Sequence, residues 1–363
     1  MSDVNTSADV DEFAGRLFDA VLGAMDMWAI YLGEQLGFYA ALAGEGPMTT
    51  DELSEATSAD VRYTREWLEQ QAVTGMLEVA SADDDAQKRA FALPPGHAEV
   101  LLDEDSLNYL APLLRLLVGA ASPLPRVLEA YRSGGGVPYA DYGPDLIEGQ
   151  AGINRTMLLQ LLGDEWLPAV PDVHARLQAS PPARVADFGC GAGWAAIGIA
   201  KAYTGALADG FDLDPASIEL ANQNAGEHGV ADRVNFEVRD AGDPALQGQY
   251  DLVIAVECIH DMSDPVAALK VMRRLAGEDG TVMVVDERVA DEFSPPGSEL
   301  EWMMYGWSML HCLPVGMADQ PSVATGTVLR APLLTRYAEE AGFNRTEVLP
   351  IEADFFRFYR LHA

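Results

Sequence analysis

Asp187 is followed at alternate positions by Gly189, Gly191 and Gly193. Glycines so spaced let a chain turn sharply and approach a ligand closely at the start of a helix. The carboxylate of Asp187 would repel a plain phosphate, so the pattern favours a ligand with an amine, a sulfonium or sugar hydroxyls. Asp212 and Asp214 close a second run of strand character. A carboxylate there can accept both hydroxyls of a ribose through short charge-assisted hydrogen bonds. Asp214 precedes Pro215 and suits the cap of the next helix, while remaining near enough to share the ribose. Asp240 and Ala241 end a third run; Glu257, His260 and Asp261 end a fourth. A histidine near neutral pKa can take a proton from a hydroxyl, with Asp261 or another acid fixing its tautomer. The competing reading of His260 is a structural histidine bonded at a helix start.

These residues need a scaffold that brings strand ends together. Runs at 184–188, 206–213, 234–239, 251–256 and 280–286 have strand character, and helical patterns fall near 193–203, 215–228, 264–277 and 332–341. Such alternation predicts a parallel, doubly wound sheet with its ligand crevice at the carboxyl ends of the strands. The last two runs, 345–350 and 355–361, are joined by only 351–354. That link suits a hairpin, so the last strand should run antiparallel. The fold class is therefore α/β, a Rossmann-like seven-stranded doubly wound sheet with an antiparallel carboxyl-terminal hairpin. Residues 293–324, rich in Trp, Met and Tyr, form an insert that also carries His311, a second candidate base.

The amino-terminal part reads differently. Helical spacing over 11–43 is interrupted at Gly37; Thr49 opens a second helix as a cap; a third spans 62–74. Segments 75–79 and 90–93 read as a β-hairpin, which completes a mostly helical winged-helix pattern. Further helices are expected near 104–120, 123–132, 144–162 and 168–179. The glycine-rich loop 133–144 holds Tyr139 and Tyr142 and leads to Gln150, Asn154 and Arg155, a candidate lid. The expected domains are 1–97 (winged helix), 98–180 (helical connector and lid) and 181–363 (ligand-binding sheet).

Composition narrows the partners. The 363 residues carry a net charge of −34, with 49% hydrophobic and 22% charged residues. This is a globular composition that repels phosphate backbones and anionic membranes. Residues 1–97 hold 18 acidic residues against 5 basic ones, opposite to a nucleic-acid footprint. Three separate cysteines fit a reducing compartment and no metal cluster. The polar, acidic start argues against a secretory signal, and the apolar run 113–121 is too short to span a bilayer, so a cytoplasmic location is expected. H-E-x-x-H, C-x-x-C and G-x-S-x-G patterns are absent, which leaves metal and acyl-enzyme mechanisms without support.

The glycine segment admits two readings. From Gly191 to Ala196 it fits the dinucleotide pattern G-x-G-x-x-A, with an acid about 20 residues further on. From Asp187 it resembles the first motif of class I S-adenosylmethionine-dependent methyltransferases, which also uses the acid. That resemblance implies S-adenosyl-L-methionine as cofactor, Asp212 on its ribose, Asp240 on the adenine amino group, and Ala241 packed on the ring. Glu257, at a strand end that lines the crevice, is expected to face cofactor and substrate, and the lid reading sets Tyr142, Gln150 and Arg155 near the methionine carboxylate. The run Ile259 to Asp264 is similar to the I-L-H-D-W-S-D type segment of plant-like O-methyltransferases, whose histidine is the general base. Here Met262 replaces the Trp, and Glu257 and Cys258 stand where Lys-Trp is usual. Tyr31 to Leu42 resembles the first helix of small-molecule O-methyltransferases whose winged-helix domain mediates dimers. The expectation is methyl transfer to a small molecule, O-methylation foremost, by a homodimer. The alternatives are N- or C-methylation, a transcriptional regulator sensing a ligand, and a nicotinamide-dependent oxidoreductase.

Overall fold

The computed structural model describes residues 6–363 and divides the chain into two compact units, one reaching Arg115 and one spanning Leu116–Ala363. The division falls inside the stretch expected as a connector.

In the first unit α1 (Thr6–Gln35), α2 (Phe38–Glu45), α3 (Thr50–Thr57) and α4 (Val61–Val73) precede α5 (Pro95–Leu102). Strands β1 (Met48–Thr49), β2 (Glu78–Ser81) and β3 (Ala90–Ala92) form an antiparallel sheet in the order β1-β3-β2. The predicted hairpin is thus present, with one more short strand. Gly37 breaks α1 from α2 at a φ of 70°, a conformation glycine adopts without strain. Thr49 and Glu52 form a reciprocal capping box on α3, and the Asp60 carboxylate accepts the Arg62 amide at 2.9 Å to cap α4. Phe38, Tyr39, Leu42, Leu53, Trp67, Leu68 and Phe91 form the core of this unit. The expected helix at 104–120 is corrected to α6 (Ala111–Ala121), preceded by turns. Asp103 and Ser106 cause this, because their side chains accept the amides of Asp105 and Asn108 at 3.1 Å and compete with helix formation.

The second unit begins within α6 and continues through α7 (Leu124–Ser133), α8 (Pro144–Leu161) and α9 (Pro171–Gln178). Its sheet comprises β4 (Arg184–Phe188), β5 (Leu207–Asp212), β6 (Val234–Val238), β7 (Leu252–Val256), β8 (Thr281–Glu287), β9 (Arg345–Val348) and β10 (Phe356–His362). The strand order is β6-β5-β4-β7-β8-β10-β9, parallel except for β10, which is antiparallel to both neighbours. The seven strands and the terminal hairpin match the sequence expectation. Successive side chains of each central strand enter opposite cores, Val185 and Ile254 on one face and Ala186 and Val253 on the other.

Helices α10 (Trp194–Ala202), α11 (Pro215–Glu227), α12 (Pro265–Ala276) and α15 (Ala331–Glu340) flank the sheet. The helix α8 lies directly on α10: a Cβ at Gly198 would stand 2.3 Å from the Leu158 carbonyl oxygen. The insert folds as α13 (Glu299–Trp307), a π-turn at Ser308–Cys312 and the short α14 (Leu313–Gly316). Loop 134–143 is fastened to it, since Val137 donates its amide to the Pro314 carbonyl at 2.9 Å. Among the described residues no single helix is long and apolar enough to cross a membrane.

Candidate active site

The carboxyl ends of β4, β5 and β7 bring the predicted residues to one sheet edge. Gly189, Gly191 and Gly193 take φ values of 62°, 50° and 81° between β4 and α10. A Cβ would strike Cys258 at Gly189 and Phe236 at Gly193, whereas at Gly191 it would meet nothing within 4 Å. Gly191 is therefore the point where the turn opens outward. Asp187 is buried, and its Oδ2 accepts the Ala196 amide at 3.1 Å in the first turn of α10. One of its oxygens is thus committed to the helix start instead of a ligand. Burial drives its pKa up to about 7, against the lowering effect of that amide.

Asp212 accepts the Gly191 amide on Oδ2 and the Asp214 amide on Oδ1, both at 2.9 Å. It thereby fixes the turn and presents its carboxylate beside the open glycine, and burial raises its pKa. Asp214 caps α11, accepting from the Ser217 amide and hydroxyl at 2.8 Å. The capping role read from the sequence is the one the geometry displays. Asp240 is exposed, and its Oδ1 accepts the Gly242 amide at 2.8 Å; Ala241 beside it is buried.

A buried cluster of one histidine and several acids lies at the ends of β7 and β8. His260 is 3% exposed, with Nδ1 3.0 Å from Asp286 Oδ1 and 3.2 Å from Glu287 Oε2. Asp261 Oδ1 stands 3.3 Å from the other nitrogen, Nε2, without hydrogen-bonding geometry. Of the acids that could fix the tautomer, Asp286 is the one bonded to the ring, at Nδ1, and Asp261 is not. The reason is topological, because β8 pairs with β7 and sets its last residues beneath the turn at Ile259–Asp261. Burial would lower the pKa of His260, but Glu287, Asp286 and Asp261 together raise it well above 6.5. The ligand atoms of His260, Asp286 and Glu287, like those of His260, Asp261 and Cys312, lie within 4.8 Å of one another. Both sets depend on the one imidazole, whose Nδ1 already bonds Asp286.

Glu257 is held at a φ of 50°, in the left-handed region that only strong surroundings impose on a non-glycine residue. Its Oε2 is buried without a hydrogen-bond partner, while Asn154 on α8 bonds the carboxyl group. Burial and the charge of Glu287 push its pKa up to about 8, and Glu287 is raised similarly. Arg155 lies 5.8 Å from the Trp194 ring centroid, at the start of α10. Gln150 is half-buried on the same helix. Tyr142 is buried and donates its hydroxyl to the Leu310 carbonyl at 2.9 Å, which anchors it to the insert. Sequence reasoning passed over Asp286, Glu287, Cys312 and the contact of Asn154 with Glu257. The signal available for the two acids was their position at the same sheet edge as His260.

This inventory fits a nucleoside with a cationic tail. Asp212 offers acceptors at an open glycine, Glu257 carries a buried acceptor without a partner, and Trp194 has a buried Nε1 donor without one. A dinucleotide pyrophosphate would meet carboxylates instead of cations here.

Comparison with known proteins agrees with this geometry. Residues 180–318 match the family description "Methyltransferase domain", and residues 24–102 match "Rv2258c-like winged HTH domain". The chain thus carries a methyltransferase domain behind a winged-helix domain. It is similar to ajmaline N-methyltransferase of Rauvolfia serpentina, 30% identical over 121 residues, which cover 33% of this chain and 41% of that protein. The chain therefore spans less than half of that relative's length. Among solved structures it resembles the mitomycin 7-O-methyltransferase MmcR, with a TM-score of 0.72 and 21% identity, covering 98% of this chain and 99% of that one. PigF with SAH gives a TM-score of 0.69 and 17% identity, covering 96% and 99%. At such identities the two structures establish the fold.

Proposed function

We propose that this protein transfers a methyl group from S-adenosyl-L-methionine to a hydroxyl of a small molecule, with His260 as general base. The observation that carries this reading is the joint between glycine turn and histidine. Cys258 packs on Gly189, and its thiol donates to the Phe188 carbonyl at 3.1 Å, two residues from the acid-ringed His260. Cofactor cradle and proton acceptor are thereby built on one pair of adjacent strands.

S-Adenosylmethionine supplies the methyl group and its own leaving group, so the protein mainly binds, orients and removes a proton. Asp212 takes the ribose hydroxyls beside the backbone of Gly189, Gly191 and Gly193, with Asp214 holding α11 behind it. Asp240 and Ala241 serve the adenine. Glu257 turns its partnerless oxygen to the sulfonium end, and Tyr142, Gln150 and Arg155 line the carboxylate end. Asp187 secures the helix that the turn opens. His260, in its neutral form, accepts the hydroxyl proton, while Asp286 and Glu287 steady the imidazolium that results. Asp261 faces the other ring nitrogen. No metal enters this scheme.

We assign the winged-helix unit to homodimerisation and not to DNA reading. Arg62 on α4 pairs with Glu66 at 2.5 Å and Arg89 with Glu69 at 3.3 Å, so these basic groups are tied to acids. Meanwhile α1 displays Phe13, Leu17, Phe18, Leu22 and Met25 to solvent, an apolar surface suited to a second copy.

Calorimetry with S-adenosylhomocysteine, followed by transfer of labelled methyl from S-adenosylmethionine to a panel of phenols and amines, tests the proposal. Binding is expected, with phenols labelled and His260→Ala losing about a hundredfold or more in turnover at unchanged cofactor affinity. Absence of binding would remove the cofactor reading. Labelling of amines alone would favour the N-methyltransferase alternative.

A further inference from the structure

His311 sits in the π-turn Ser308–Cys312, between α13 and α14. Single π-turns widen a helix and are often found at functional sites. This one aims the imidazole inward, leaving it 9% exposed. Two aromatic rings from loop 134–143 grip it edge-on, Tyr142 at 4.8 Å and Tyr139 at 5.7 Å between centroids. Nδ1 lies 3.5 Å from Cys312 Sγ, whereas Nε2 is buried with no hydrogen-bond partner. A buried ring nitrogen without a partner costs free energy unless something fills its need. The helix α14, which follows the π-turn directly, packs on the turn that carries His260, since a Cβ at Gly316 would come 3.1 Å from the Asp261 carbonyl oxygen.

The charged and titratable groups facing His311 are Asp261 and His260, with Cys312, Tyr139 and Tyr142 around it. Burial lowers its pKa, His260 lowers it further, and Asp261 only partly opposes them. His260 is displaced in the opposite direction. Two histidines sharing Asp261 are thus pushed apart, the pattern that separates an acid from a base within one site.

We propose that His311 is a second proton acceptor in the acceptor site, its partnerless Nε2 taking the hydroxyl proton when His260 already holds one. This rests on the methyl-transfer reading above. In the step, the acceptor O–H bond breaks and its proton moves to Nε2 of His311. The oxygen forms its bond to the methyl carbon, and the electron pair of the breaking carbon–sulfur bond leaves on sulfur. His260 supplies positive charge near the developing oxyanion, and Tyr139 and Tyr142 hold the accepting ring still.

The test uses the full chain, labelled with 15N in its histidines and saturated with S-adenosylhomocysteine. Ring-nitrogen signals, assigned with His311→Gln and His260→Gln, are followed from about pH 5 to 9. The expected result is a neutral His311 and a charged His260 at pH 7; a charged His311 would overturn the proposal. A second readout is the absorbance of bound 4-nitrophenol, whose ionised form is coloured. Wild-type protein should hold it ionised at pH 7, and His311→Gln should shift most of the bound probe to the neutral form. An unchanged ionised fraction in His311→Gln would also overturn the proposal, and if the probe does not bind, the ring signals alone decide. Failure of wild-type protein to bind S-adenosylhomocysteine counts against the methyl-transfer reading, whereas a charged His311 in a protein that binds it counts against this proposal alone.

Discussion

Asp212 and Glu257, the two carboxylates proposed to meet the cofactor, are prepared in different ways. Asp212 already accepts two backbone amides, so it is positioned before any ligand arrives. Removing it takes away charge-assisted hydrogen bonds worth about 1.5–3 kcal/mol each. Asp212→Ala should therefore weaken S-adenosylhomocysteine binding by roughly thirtyfold or more in calorimetry. Glu257 carries a different signature. Its folded pKa, pushed to about 8, lies far above its ordinary 4.5, so between those values the native state holds a proton that the unfolded chain has lost. Stability must then fall as pH rises across that window, and Glu287 adds to the fall. His260 acts with the same sign, since its raised pKa gives stability that is lost as the ring deprotonates. Glu257→Gln removes one contributor. Urea midpoints measured between pH 5 and 8 should decline less steeply in this variant than in the wild type; an identical slope would mean that Glu257 is ionised like a surface acid.

At the scale of elements, the site depends on how closely α8 lies on α10. Gly198 permits the approach, and α8 delivers Asn154 to Glu257 and Arg155 to Trp194. Gly198→Val would force the two backbones apart, costing about 1–3 kcal/mol. The expected result is a lower urea midpoint together with weaker S-adenosylhomocysteine binding; a loss of stability with binding intact would separate α8 from the cofactor site. Much at this scale was legible in the residues. Alternating apolar runs placed all seven strands within a residue or two, because central strands buried on both faces leave unbroken apolar stretches. The Thr49 cap and the Asp214 cap were readable from chemistry local to a few residues. The boundary at Ala111 was not, because Asp103 and Ser106 compete for amides that a periodicity reading gives to a helix. Nor was the ring of acids at His260, since Asp286 and Glu287 approach it through strand pairing and not through sequence spacing. The orientation of His311 was equally hidden: a π-turn has no composition of its own.

For the whole molecule, charge and exposed apolar surface oppose each other. A net charge of −34 makes the folded chain repel itself and its copies. Yet α1 leaves Phe18 63% exposed and Met25 59% exposed, with Phe13, Leu17 and Leu22 beside them. Apolar surface stabilises association by about 25 cal/mol for each Å² removed from water, so a helix displaying this much is driven to find a partner. If that partner is a second copy, two bodies of the same sign must meet, and the cost depends on ionic strength. The Debye length shrinks from about 10 Å at 0.1 M salt to about 3 Å at 1 M, which removes most of the repulsion between exposed charges while leaving the apolar attraction. The dimer dissociation constant from sedimentation should therefore fall as KCl is raised, and melting temperature should rise with it. Phe18→Asp with Leu22→Asp should give a monomer at every salt concentration while keeping S-adenosylhomocysteine binding. A dimer that loosens with added salt, or one indifferent to both substitutions, would mean that ion pairs elsewhere, and not this helix, hold two copies together.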